Sequence, residues 1–214
     1  MQKNSNLISP IIERTLRQII LKDLANKGRK NFDKNHTLAV VYWTKQLLKI
    51  INSKQNGKQN KTKIDKKLNS KILITAAYAH DWGYASLFQN SDSDDYAAIQ
   101  AQKQLHMWQG AIKIERLLYQ RLSSHFSEAE IIRVAHLVYI HDQLDKLKDE
   151  DEVLLMEADT LGALDTDRMK PTFSKKDHHR FIQEVRKKRL AGFVHSQASK
   201  LGKELIKKRI AFYE

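Results

Sequence analysis

The chain contains no cysteine. That excludes disulfides, thiolate metal sites and cysteine nucleophiles together, so any metal ion must be held by His, Asp or Glu. Proline occurs only at Pro10 and Pro171, and there are seven glycines in 214 residues. With so few breakers, long helices can run uninterrupted. No apolar run approaches membrane-spanning length, and the first thirty residues lack the apolar stretch of a secretory signal. The sequence-level expectation is therefore a cytoplasmic protein without a membrane partner. Acidic residues are also in deficit, 25 against 38 Lys and Arg, for a formal charge of +13. Such a balance favours anionic ligands.

Hydrophobic residues make up 41% of the chain, enough for a substantial core. They recur at spacings of three and four. Ile12, Leu16, Ile19, Ile20 and Leu24 mark a first helix, with Gly28 as its C-terminal cap. A second begins near His36 and buries Val40, Trp43, Leu47 and Ile51. A third covers Ile72 to about Trp82, and a fourth runs from about Tyr96 to Leu122, with Trp108 in the core. Ser127 and Glu130 have capping-box spacing and open a fifth. A sixth carries Leu154, Leu155, Ala158 and Leu161 after the acidic stretch 149–152, and Ser174 opens a final pair ending near Tyr213. No segment alternates with the period of a strand, so the expected class is all-α: one helical domain over 1–214, with a C-terminal helical extension from about 174. Asn52 to Ser70 is Lys- and Asn-rich and poor in apolar residues; it reads as a flexible loop, as does the polar stretch 91–95.

Against this apolar background, six titratable residues stand where packing favours hydrocarbon. His80-Asp81 ends the apolar run from Ile72 to Tyr78. His36 starts a strongly apolar helix, and His106 lies beside Ala101, Leu105 and Ala111. His141 closes a helix containing Ala135, Leu137, Val138 and Ile140, and Asp159 is flanked by Met156, Ala158 and Leu161. Each alone has an ordinary reading as a hydrogen-bonded core residue. Together they are imidazoles and carboxylates, the ligand types that divalent cations accept, and burying them is unfavourable unless they are paired or bind an ion. His125, His136, His178, His179 and His195 read as surface or boundary residues.

The order His … His-Asp … His … His … Asp resembles that of the HD superfamily of metal-dependent phosphohydrolases. The likeness spans roughly His36 to Arg168. His80-Asp81-Trp82-Gly83 is similar to the family's His-Asp-x-Gly motif, residues 106–111 (HMWQGA) resemble a His-x-x-x-Gly-Ala stretch, and Glu157-Ala158-Asp159 with Leu161 resembles the segment bringing the last ligand. The resemblance implies that His36, His80, Asp81 and Asp159 hold one divalent ion (Mn, Mg, Fe, Zn, Ni or Co). His106 and His141 stand where some members bind a second ion, with Asp81 bridging, or act as general acid or base. Asp81 would also serve catalysis by holding a metal-activated water in line with the phosphorus. Arg168, Lys170 and Lys113 are candidates for contact with the phosphate, or else solvent-exposed charges. Tyr84 stands where some nucleotide-hydrolysing members have an acidic residue, which leaves the substrate open: a nucleotide or another small phosphorylated metabolite. The alternative function is a basic nucleic-acid-binding module with an inactive site, using the seven lysines between Asn52 and Lys71.

Overall fold

A computed structural model describes residues 7–30, 32–57 (side chains to 53), 68–88 and 95–214. The described residues form helices and connections with no strand, so the chain is all-α. Helix α1 (Pro10–Leu16) continues through a π-helical turn (Arg17–Leu21) into α2 (Lys22–Lys27). Pro10 fits its first turn because the missing N–H has no intrahelical partner there. The inward positions Ile12, Leu16, Ile20 and Leu24 are buried, four residues apart. Gly28 ends this segment as expected, with φ in the ordinary negative range. What selects glycine is space: a Cβ would lie 2.6 Å from the Leu24 carbonyl oxygen and 2.8 Å from Asp33 Oδ2.

Helix α3 (Asp33–Gly57) runs against α4 (Ser70–Ala79) and α8 (Glu150–Leu164). It extends six residues into the tract read as a loop from Asn52; residues 58–67 lie outside the described residues, and the end of the tract is ordered, with Leu68 buried, Asn69 capping α4 and Ser70 opening it. Most of the 91–95 stretch does too, but Asp95 caps α5 (Tyr96–Ala101), accepting from the Ala97 N–H at 2.9 Å. The single helix expected over 96–122 is two, because the chain breaks helical geometry at Gln102 before α6 (Lys103–Arg121). The Ser127 capping box opens α7 (Glu128–Ile140), which packs on α6 and α4. After α9 (Lys175–Glu184), a second π turn (Val185–Arg189) and a 3-10 turn (Leu190–Gly192), α10 (Ser196–Ala211) returns across α8.

Helix α4 is the axis of the core: every residue from Ile72 to Ala79 is buried. Its three large aliphatics alone contribute about 1.5–3 kcal/mol each on burial. That fixes where the chain emerges at His80. Trp43 is in the core as expected, donating to Asp165 Oδ2 at 3.0 Å. Trp108 is not: 52% of it is exposed, on the outer side of α6. His178 departs in the other sense, being buried and stacked 3.9 Å from the Tyr213 ring. His195 is half-buried, its Nδ1 2.7 Å from Glu157 Oε2. No helix of the described residues is long and apolar enough to cross a membrane.

Candidate metal centre

The six residues picked out from the apolar pattern meet at one place, although they come from α3, the end of α4, α6, the end of α7 and α8. All six are buried. His80 keeps helical dihedrals, whereas Asp81 turns to φ −103° and ψ 8°, in the bridge region that ends the helix. That turn lets two neighbouring side chains face the same point. The 3-10 turn that follows (Trp82–Ser86) presses against α6, and Gly83 makes the approach possible. A Cβ there would sit 1.9 Å from the His106 carbonyl oxygen, which no side chain can tolerate.

Asp81 divides its carboxylate between two pairs of histidines. Its Oδ2 lies 3.5 Å from both His36 Nε2 and His80 Nε2, which are 3.2 Å from each other. Asp159 Oδ1 stands 2.9 Å from His36 Nε2 and 3.7 Å from His80 Nε2. On the other side, Asp81 Oδ1 lies 3.4 Å from His106 Nε2 and 3.7 Å from His141 Nε2. Atoms that each bond one ion at about 2.1 Å are separated by about 3.0–3.4 Å. Both clusters come close to that spacing and could hold a metal ion.

The hydrogen bonding of the imidazoles fits this use. His80 Nδ1 is 2.9 Å from the Ala77 carbonyl and His141 Nδ1 is 2.8 Å from the Val138 carbonyl. A carbonyl accepts only, so each Nδ1 carries a proton, and Nε2, directed at the centre, is the nitrogen left to ligate an ion when the ring is neutral. His106 is buried; among the described residues its Nδ1 has no hydrogen-bond partner and its Nε2 only the 3.4 Å approach to Asp81, and Tyr84 lies flat on its ring at 4.0 Å. A buried imidazole so poorly partnered has room for the bond that an ion would supply.

The charges are strongly coupled. Burial raises the Asp81 carboxyl, but His80 and the donors around it outweigh this and hold it well below the usual carboxylate range. Burial also raises Asp159, and Arg189 and His36 more than reverse it. His80 is pulled down by burial yet pushed up to about 9 by Asp81 and Asp159.

Around the cluster lies a partly open pocket with a cavity volume of about 110 Å³. Its walls include Phe32, Tyr96, Phe173 and Phe181, with Phe173 ring centroids 5.6–6.2 Å from the other three. Its basic side chains are Arg29, Lys103, Arg189 and Arg209, none of them singled out from the sequence. Arg189 donates to Asp159 Oδ2, to Asp142 Oδ1 at 2.6 Å and to Thr160 Oγ1 at 2.8 Å. Lys103 meets Asp142 from the other side at 2.9 Å. Asp142 was also missed, though the His141-Asp142 pair repeats His80-Asp81 with the same bond from Nδ1 to the carbonyl three residues back.

The three cations expected at the phosphate are placed elsewhere and do not line this pocket. Lys113 donates to Asp23 Oδ2 (3.1 Å), the Trp82 carbonyl (3.2 Å) and Ser86 Oγ (3.1 Å). Arg168 lies 3.5 Å over the Tyr42 ring and bonds Asp165 at 3.0 Å. Lys170 is exposed. Trp82 packs into the core and donates to Asp23 at 2.7 Å.

No family model matches the chain, and no curated protein or solved structure matches it either.

Proposed function

We propose that this chain is a metal-dependent phosphohydrolase of the HD type, acting on a nucleotide or another small phosphorylated metabolite. The observation that carries the reading is the split carboxylate of Asp81, one oxygen turned to His36 and His80, the other to His106 and His141. His36, His80, Asp81 and Asp159 would hold one divalent ion, and Asp81, His106 and His141 a second. When bound, such ions supply a water acidic enough to act as a nucleophile near neutral pH, and they offset charge on phosphoryl oxygens.

The protein's own groups then have distinct tasks. Asp81 and Asp159 stay ionised because the cations and imidazoles beside them favour the charged form. The Nε2 atoms of His106 and His141 face the pocket as ligands, or as proton donors and acceptors where only one ion binds. Arg189 and Lys103 present charge at the mouth of the cluster, where phosphoryl oxygens would lie. The aromatic walls exclude water from that end and offer an apolar surface to the remainder of the substrate.

The test is elemental analysis of protein loaded with Mn²⁺, followed by a phosphate-release screen over nucleotides and phosphorylated metabolites. Bound metal with turnover that Asp81→Ala abolishes is the expected result. A chain that binds no metal, or one whose Asp81→Ala variant retains full turnover, overturns the reading.

A further inference from the structure

Three of the four basic side chains lining the pocket are matched by carboxylates: Arg29 by Asp33, Lys103 by Asp142, and Arg189 by Asp142 and Asp159. Arg209 is the exception. Its relative exposure is 0%, and among the described residues no carboxylate lies within ion-pair distance of it. Its Nη1 donates to the Ala163 carbonyl, an acceptor left over at the end of α8, and its Nε is buried without a hydrogen-bond partner among the described residues. The guanidinium lies over the Phe181 ring, 4.8 Å from its centroid. One carbonyl and one ring face leave most of a group with five N–H donors unserved. Burying an unpaired charge is among the most unfavourable arrangements a fold can hold, and such a cation is ordinarily paired.

Among the described residues the neighbourhood adds no negative charge. Burial and the nearby guanidinium push His178 down to about 4, so it is neutral in ordinary buffers, and its Nε2 likewise has no hydrogen-bond partner among the described residues. Burial pulls Arg209 itself down to about 10, with only the Tyr213 phenol opposing; the side chain is still a cation at neutral pH.

The position of Arg209 in the pocket follows from α8. Asp159 and Ala163 are four residues apart, one turn on the same face, about 6 Å along the axis. The first carries the candidate metal ligand and the second bonds Arg209. Both line the pocket. Resting on the phosphoester reading above, we infer that Arg209 forms a second anion subsite, so that the substrate carries a phosphate or carboxylate beyond the group that is hydrolysed. Phe173 and Phe181 line the same pocket, Phe181 beneath Arg209, and suit an apolar or planar linker.

The test compares ligands of one length on Mn²⁺-loaded protein by calorimetry: pentyl phosphate, pentane-1,5-diyl bisphosphate and 6-(phosphonooxy)hexanoate. The wild type should bind one or both of the probes with an anionic group at each end about tenfold or more tightly than pentyl phosphate, and the stronger of the two identifies the distal group. Arg209→Gln should remove that advantage and leave pentyl phosphate affinity unchanged, while Arg209→Lys should keep part of it. A guanidinium that serves only to cap α8 would lower the melting temperature of both variants without changing the ratio. Equal affinities in the wild type, or an advantage that survives in Arg209→Gln, overturn the inference. The wild-type comparison decides if Arg209→Gln does not fold. If Mn²⁺ does not bind, the phosphoester reading falls but the subsite is still measured. Hexanoate should then raise the melting temperature of the wild type and not of Arg209→Gln; no rise in the wild type sinks the subsite as well.

Discussion

Arg189 grips Asp159 on the carboxylate oxygen that His36 leaves alone. Oδ2 accepts from the guanidinium, and Oδ1 stands 2.9 Å from His36 Nε2. The arginine therefore fixes the orientation of a candidate ligand and keeps it ionised. It also separates two carboxylates, the buried Asp159 and the half-buried Asp142, that would otherwise repel each other. Arg189→Met should weaken Mn²⁺ binding roughly 10–100-fold, as loss of an orienting partner does in other metal sites. It should also destabilise the fold by about 3 kcal/mol, because it leaves buried charge uncompensated. Calorimetric titration and urea denaturation read the two effects separately. Unchanged metal affinity would reduce Arg189 to a structural strut.

The shared carboxylate of Asp81 makes the metal count informative. His141→Ala should leave one ion per chain where the wild type takes two, since only the Asp81 Oδ1 side loses a ligand. His36→Ala should damage the opposite side and spare the His106–His141 pair. Asp81→Ala should empty both. Elemental analysis after dialysis gives these counts directly. A wild type holding one ion, with His141→Ala unchanged, would assign His141 to the substrate instead.

Gly83 joins the fold to the site. Because a Cβ at this position meets the α6 backbone at 1.9 Å, Gly83→Ala must push the 82–86 turn away from α6. The change should cost about 3 kcal/mol as an overpacked contact between backbones. At a few degrees per kcal/mol for a chain of this size, the melting temperature should fall by roughly 6–12 °C. His106 should move with α6, so the second ion should be lost before the first. A variant with wild-type melting and two bound ions would show that the turn gives way freely.

What could be read from the sequence, and what could not, follows from one rule applied unevenly. A titratable residue on an apolar helical face drew attention to His36, His106, His141 and Asp159, and all four converge. The same rule applied to arginine would have found two more. His178, Ile182, Val185 and Arg189 step by four, three and four along one face, and the first three are buried. On α10, Ala198, Gly202, Leu205 and Arg209 do likewise. Both arginines were hidden by context: Arg189 closes the run Arg186-Lys187-Lys188-Arg189, which reads as solvated charge, and Arg209 follows Lys207-Lys208. Conversely, Lys113 and Arg168 are near expected ligands along the chain but do not line the pocket, because nearness within a helix does not carry between helices. Trp108 shows the limit of composition, since a large apolar residue on the outer side of α6 has nothing to pack beneath.

The N-terminus of α8, which positions Asp159, is set by Glu152 and supplies a test independent of metal. Glu152 Oε2 accepts from the backbone N–H of Lys148 at 2.8 Å and Asp149 at 3.0 Å, and Oε1 lies 2.9 Å from His136 Nε2 and 3.2 Å from Arg133 Nη1. Burial pushes its carboxyl up, yet the two backbone donors, His136 and Arg133 outweigh that and bring it down from the ordinary 4.5 to about 2. A folded-state value below the unfolded one stabilises the fold fully above about pH 4.5, and the stabilisation drains away as pH falls toward 2. Glu152→Gln keeps the shape and the backbone acceptor but not the charge. It should cost about 3 kcal/mol at pH 7, with the gap to wild type narrowing below pH 4.5 and closing near pH 2. Parallel urea titrations of the two proteins across that range measure it. A gap that stays constant with pH would mean that the ionised form of Glu152 gains nothing from its partners.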